Sequence, residues 1–295
     1  MRFSIRPWRD EDTDFYVALR RAWDPTTGED QLRRTAAGEG RTHLHRSVAE
    51  IDGQQVGFVQ ISVMPFSDQA QCLVLVAPEH RAKGIGTALF DSGIEAVSGR
   101  ELGGFIWDSD VTSLRAAQNW GFAITSHAIE SHLAAKDADL TEPAAPGYRL
   151  QFADDAELTD TDATALDEMM ARSSTHPEAV ELGWNLATAD YRKLFHGLLW
   201  SIVWDGPRVV AMANTHPQHD ADWSILFTST DPDYRGRGLA RVAKQLLHRN
   251  GFARGASGFA TWNEERNEGI RALNRSMGYV ATAGEYRLKR EATAA

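Results

Sequence analysis

The chain of 295 residues has a single cysteine, Cys72, so no internal disulfide can form. It sits in the apolar run Cys72-Leu73-Val74-Leu75-Val76, where a buried thiol is the default and a cysteine nucleophile is a poor reading. No apolar run approaches the ~20 residues that cross a bilayer. The N-terminus, charged at Arg2, Arg6, Arg9 and Asp10, lacks a signal-peptide core, so no membrane partner and a cytoplasmic location are expected. The histidine pairs (His43 with His45, His216 with His219) have no cysteine partners, and no metal site is expected. Positive charge is in deficit, with 31 Lys+Arg against 41 Asp+Glu and a net charge of −10. That balance argues against nucleic acid as the partner and suits a cationic small molecule, although a solvated acidic surface accounts for it equally well.

What the sequence does contain, it contains twice. The block Val76-Ala77-Pro78-Glu79-His80-Arg81-Ala82-Lys83-Gly84-Ile85-Gly86 is echoed by Thr230-Asp231-Pro232-Asp233-Tyr234-Arg235-Gly236-Arg237-Gly238-Leu239-Ala240. In each, a β-branched apolar run stops at a proline, an Arg-x-x-Gly-x-Gly/Ala turn follows, and an amphipathic helix begins at once. Glycines let successive backbone N–H groups converge, and the new helix adds its unsatisfied N–H groups and positive dipole end, so such a turn is suited to phosphate. One glycine-rich turn is weak evidence, because strand-to-helix turns of this kind are common in α/β proteins. Two in the same register are stronger. The Gly-aromatic pairs Gly121-Phe122 and Gly278-Tyr279, and the alternating starts Phe3-Ser4-Ile5-Arg6 and Tyr148-Arg149-Leu150-Gln151, keep nearly the same offset. The chain reads as a tandem duplication, long enough to bury two cores.

Both halves give one order: strand, helices, three strands, the phosphate turn and its helix, a strand, a helix and a last strand. Asp52-Gly53 and Asp205-Gly206 mark hairpins. The stretch Thr141-Glu142-Pro143-Ala144-Ala145-Pro146-Gly147 reads as a linker, which places the domains at residues 1–142 and 147–295.

This element order, the phosphate block and the helix ending in Gly-Phe or Gly-Tyr resemble the GNAT acetyltransferase superfamily, twice over. Phrases such as Thr261-Trp262-Asn263 and Leu273-Asn274-Arg275-Ser276 make the layout similar to tandem enzymes of the mycothiol synthase type. The resemblance implies an α/β (α+β) fold of two tandem GNAT-like domains. Each would be a mixed, mostly antiparallel sheet whose splayed central parallel strands, flanked by helices, hold acetyl-CoA. Unpaired backbone groups in the opening would bond the pantetheine amides as an added strand would. Carried onto this sequence, those contacts fall on Val74 and Val76 and on Thr228 and Thr230. The pyrophosphate would meet Arg81, Ala82, Lys83, Gly84, Ile85, Gly86 and Thr87, or Arg235, Gly236, Arg237, Gly238, Leu239, Ala240 and Arg241.

The resemblance also implies an acetyl-CoA-dependent N-acetyltransferase acting directly on a primary amine of a small molecule. Asn267 and Asn274 match the family's approach to its last helix, whereas Asp110 stands where Asn267 would be. The second half is therefore the preferred active site, with the first as the alternative. Many members place an acid tyrosine four residues before the helix-ending glycine, and here Ala117 and Asn274 occupy those positions. Tyr286 is a substitute acid, unless the thiolate leaves with solvent help, and Asp222 is a candidate base whose bland reading is a solvated turn residue. Trp184, Trp200, Trp204 and Trp223 are either pocket walls or core. A regulatory module that binds acetyl-CoA without turnover fits the missing tyrosines, and the sequence says nothing of oligomeric state.

Overall fold

The computed structural model describes residues 2–292 apart from 26, 66, 68, 98, 174–196 and 219–221. Two compact units emerge, and each is discontinuous or offset relative to the repeats. Unit 1 is Met1–Ser126 with Glu285–Ala295; unit 2 is His127–Gly284.

In unit 1 the strands are β1 (Ser4–Pro7), β2 (Thr42–Ile51), β3 (Gln54–Val63), β4 (Ala70–Val76) and β5 (Leu102–Trp107). The helices are α1 (Thr13–Trp23), α2 (Glu29–Ala37), α3 (Ile85–Ile94) and α4 (Val111–Asn119). β1 to β4 are successively antiparallel, and β4 and β5 are parallel. The sheet is completed by β12 (Val280–Arg290), whose Glu285 to Arg290 pair antiparallel with β5. The β2–β3 hairpin turns at Asp52 and Gly53, both at positive φ, as an Asp-Gly two-residue turn requires. On α3, Ile85, Leu89, Phe90 and Gly93 form the buried stripe, and Val59, Ile61 and Leu102 meet it from the sheet. Full burial of each large apolar side chain contributes about 1.5–3 kcal/mol.

Unit 2 repeats the plan with β7 (Arg149–Asp154), β8 (Leu199–Asp205), β9 (Arg208–His216), β10 (Trp223–Thr230) and β11 (Gly258–Glu264). Its helices are α5 (Asp160–Ser173), α6 (Leu239–Ala253) and α7 (Glu268–Ser276). Here the completing strand is β6 (Ala123–Ala134), whose Ala128 to Ala134 pair antiparallel with β11. Both units are thus mixed, largely antiparallel sheets with one central parallel pair, flanked by helices. The boundaries at 142 and 147 separate the sequence repeats, but the compact bodies divide at Ser126/His127 and Gly284/Glu285. The reason is that the strand after each Gly-aromatic pair leaves its own half to finish the other sheet.

Three of the four pocket tryptophans fall in the described residues of unit 2, and all three are core. Trp200 and Trp204 are buried, with their indole N–H groups on Asp155 Oδ1 at 3.0 Å and Gln151 Oε1 at 2.9 Å. Trp223 packs edge-on against Phe259. Trp184 lies outside the described residues.

Candidate active site

In unit 1, the parallel pair β4–β5 holds together only where Ala70 faces Leu102 and Gln71 faces Gly103. The closed end is tight. A Cβ on Gly103 would run into the side-chain amides of Gln69 and Gln71, which would have to swing aside. Beyond this point the strands part. The Ala77 N–H donates to the Val56 carbonyl at 2.9 Å, and alternation along an antiparallel ladder then assigns Leu75 and Leu73 to bonds with β3. The peptide groups of Val74 and Val76 are left facing the gap. A cavity of about 250 Å³ occupies it, lined by Val74, Val76, Arg81, Ala82, Gly84, Gly86 and Thr87 among others.

The phosphate turn closes one end. After a single turn at Pro78–His80, Arg81 is extended, Ala82 and Gly84 are left-handed at φ 57° and 81°, and α3 starts at Ile85. The first amides of α3 have no partner within the helix. Arg81 donates through Nε to the Val76 carbonyl at 3.1 Å, and the Lys83 ammonium donates to the Glu79 carbonyl at 2.7 Å. Thr87 Oγ1 accepts from the Trp120 indole at 3.2 Å. Asp110 caps α4, accepting from the Ser113 N–H at 2.9 Å and its hydroxyl at 2.7 Å. Its carboxylate also lies 3.8 Å from Arg81 Nη1, which sets a cation of the turn beside its negative charge. Burial pushes the Cys72 thiol up to about 12, which leaves no thiolate in the cavity at neutral pH.

Unit 2 opens in the same way. β10 and β11 pair from Trp223–Phe259 to Ile225–Thr261 and then part, with an irregularity in β10 between Ile225 and Phe227. The Asp231 N–H bonds the Val210 carbonyl, so Thr228 and Thr230 direct their peptide groups into the gap. Gly236 and Gly238 are left-handed at φ 76°, Arg235 is extended, and α6 begins at Leu239. Leu239 is buried and Ala240 follows within the helix, so both would offer only backbone. Arg237 is drawn to the Tyr148 hydroxyl and the Asp233 carbonyl, each at 3.2 Å. Arg241 bonds the Ser276 hydroxyl. Asn267 caps α7 by accepting from the Ile270 N–H at 3.4 Å, the same role as Asp110.

The units differ beneath their last helices. Where unit 1 has Phe90, Ala117 and Phe122 in its core, unit 2 has a buried polar chain. Lys244 Nζ donates to Asn274 Oδ1, and the Asn274 amide donates to Asn263 Oδ1 at 2.7 Å. Tyr279 lies under the ammonium, 4.3 Å from its ring centre, and its hydroxyl meets His248 Nε2 at 2.7 Å. Burial lowers Lys244 to about 7, and burial with Lys244 beside it pushes His248 well below its usual value. Asn274 is thus tied into the core.

The two candidate acid–base residues fall in different units. Asp222 lies at the closed end of β10, with His132 Nε2 at 2.8 Å and the Ser257 hydroxyl at 2.9 Å. Roughly 25 Å of extended strand separates it from the phosphate turn. Asp222 therefore ties strand ends together. Tyr286 belongs to unit 1, on β12 opposite Ile106 and packed on that unit's core, because β12 is the exchanged strand. Sequence reasoning missed Glu285 beside it, which faces Trp107 across β5. Glu130 faces Trp262 in the matching place of unit 2, and that repeat was the signal available.

A splayed parallel pair leading into a backbone-lined phosphate turn, present in both units, is the architecture of an acyl-CoA-dependent transferase. The acetyltransferase (GNAT) family model matches residues 5–122 and again 163–279, and the chain belongs to that family. Among solved structures, it resembles a tandem GNAT protein from the clavulanic acid biosynthesis pathway at 17% identity and TM-score 0.77, with 100% of each chain covered. A GCN5-related N-acetyltransferase from Sphaerobacter thermophilus aligns at 15% identity and TM-score 0.76, over 99% of this chain and 97% of that one. The glucosamine N-acetyltransferase region of a fungal multi-domain β-N-acetylglucosaminidase aligns at 18% identity and TM-score 0.68, over 98% of this chain and 38% of that one. A search of curated proteins finds no match. Among the described residues, no helix is long and apolar enough to cross a membrane.

Proposed function

We propose that the chain is an acetyl-CoA-dependent N-acetyltransferase acting on a primary amine of a small molecule, and that the opening of unit 1 is its active cleft. The observation that carries this reading is the continuous cavity running from the Val74 and Val76 peptide groups to the first turn of α3. The residues fit the cofactor: Val74 and Val76 would bond the pantetheine amides, and Arg81 to Thr87 would hold the pyrophosphate. When bound, acetyl-CoA supplies an activated acetyl thioester.

The chain's own residues would do the rest. A peptide N–H of β4 in the gap would steady the oxygen on which charge develops. Glu285 and Tyr286 are successive residues of β12, and successive strand residues point to opposite faces. Tyr286 shares the face of Ile106 and Leu288, which line the cavity, and we assign it to protonate the departing thiolate. Glu285, on the other face, would take a proton from the acceptor's ammonium, freeing the amine lone pair that attacks the thioester carbonyl. Unit 2 keeps a phosphate turn and supports the active unit, by binding a second cofactor or by structure alone.

The test is coenzyme A release from acetyl-CoA across a panel of primary amines, with paired turn variants. Gly84→Asp should abolish turnover and weaken acetyl-CoA binding, while Gly238→Asp should leave most turnover intact. The reverse pattern would move the active cleft to unit 2. Binding without turnover of any amine would favour a regulatory module.

A further inference from the structure

The cavity of unit 1 passes through its sheet. Leu73 and Leu75 belong to the apolar cluster of α1 and α2, around Tyr16 and Trp23. Cys72, Val74 and Val76 belong to the cluster of α3 and α4, around Leu89 and Ala117. All five β4 residues line the same cavity, which is possible only because β4 and β5 have parted. The phosphate turn and α3 lie on one side of the sheet. The other mouth is aromatic.

There Trp23 and Phe105 line the cavity, their ring centres 5.3 Å apart and their planes inclined by 42°. Trp107 extends the wall, 5.7 Å from Trp23 at 49°. The wall is fixed: the Trp107 indole N–H donates to the Trp23 carbonyl at 3.3 Å, and the Arg20 guanidinium lies 4.9 Å from the Trp23 ring centre. Phe105 is nonetheless 38% exposed, a large apolar ring left uncovered inside a concave site. Glu285 faces Trp107 and Arg287 faces Phe105, so this sheet face carries a carboxylate and a guanidinium next to the rings, 3.5 Å from each other.

We propose that this mouth is the acceptor subsite of unit 1 and takes an amine whose body is a flat aromatic ring, packed against Phe105 and Trp23. The proposal rests on the transferase reading of unit 1 given above. Inclined ring pairs at these separations favour a further aromatic ring over an alkyl chain of similar size. An acceptor entering here would reach the gap from the face opposite the phosphate turn, bringing its amine to the thioester with Glu285 on its own side.

The experiment compares 2-phenylethylamine with 2-cyclohexylethylamine, its saturated counterpart of similar size, as acceptors for the full chain, by kcat/KM for coenzyme A release. Acetyl-CoA affinity is measured separately by calorimetry. We expect a preference of about ten-fold or more for 2-phenylethylamine. Phe105→Ala should bring the two amines near parity with acetyl-CoA affinity unchanged, and its melting curve shows whether the fold survives. Should Phe105→Ala fail to fold, Phe105→Leu should reduce the preference in the same direction. Equal use of both amines, or a preference that Phe105→Ala and Phe105→Leu leave intact, overturns the inference while the transferase reading stands. Cofactor binding with no turnover of either amine overturns it too. Failure of unit 1 to bind acetyl-CoA, seen as an affinity that Gly84→Asp does not change, is instead a failure of the underlying reading.

Discussion

Gly104 and Leu288 stand opposite one another across β5 and β12, and both line the cavity of unit 1, although one belongs to the first half of the chain and the other to its last ten residues. A Cβ on Gly104 would lie 3.3 Å from the Cys72 carbonyl oxygen, a tight backbone contact that glycine avoids. Leu288 is nearly buried and closes the cavity from the exchanged strand. Ending the chain at Gly284 should therefore remove a wall of the cofactor cleft as well as six residues of strand pairing. The expected outcome is loss of acetyl-CoA binding in calorimetry, accompanied by early melting of unit 1. Retained binding would show that β12 is dispensable to the cleft.

The buried Lys244 should make the stability of unit 2 depend on pH. Burial lowers it from its ordinary 10.5 to about 7. A lysine depressed in this way opposes folding only where the unfolded chain would be protonated. Its cost is absent above about pH 10.5, grows as pH falls, and is complete below about 7. Between pH 7 and 10 the melting temperature of the natural chain should rise relative to Lys244→Met by about 5 °C or more. Parallel curves for the two proteins would contradict the burial of a titrating amine.

Two carboxylates should act in the opposite range. Burial alone would raise Asp12, but Arg6, the Arg9 amide and Gln55 outweigh it and hold it below the usual carboxylate value. Burial is likewise outweighed at Asp231 by the Asp233 amide with Arg208 and Arg172. Their contribution to stability is present above the unfolded value near ~4 and is lost as pH falls from there through the folded value. Asp12→Asn and Asp231→Asn should each cost about 2–4 kcal/mol at pH 7 and show a shallower loss from pH 5 to 3 in urea titrations. Equal acid slopes would count against the assignment.

Ala82 and Gly236 occupy matching places in the two turns, both left-handed. A side chain there costs on the order of 1 kcal/mol, partly offset by the freedom that glycine adds to the unfolded chain. Ala82→Gly should stabilise unit 1 by about 0.5–1 kcal/mol, and Gly236→Ala should destabilise unit 2 by a similar amount. Chemical denaturation of the two variants gives both values, and a destabilised Ala82→Gly would mean that the alanine methyl makes a contact of its own.

Much of the fold was legible because local chemistry fixes it: the Asp52-Gly53 hairpin and the glycine turns. The strand-turn-helix geometry around Gly84 and Gly238 was legible for the same reason. The exchange of β6 and β12 was not, because an alternating run shows which face is buried but not which strand it will join. That one gap misplaced Tyr286 and hid Glu285. Asp222 kept two readings because spacing gives the face of a strand without saying that the strand opens only at its far end. Lys244 reads as a solvated helix residue beside the Leu239, Ala243, Leu246 and Leu247 stripe, and its burial depends on Asn274 and Tyr279, which come from a later helix and loop.

The exchanged strands also bear on how such a gene can change. A duplicated domain is ordinarily free to lose one copy. Here each copy carries the closing strand of the other's sheet, so removing either would leave the survivor with an open edge beside its cleft. The two repeats can diverge in what they bind, as the core beneath Asn274 has diverged from that beneath Ala117, yet they are inherited together or not at all.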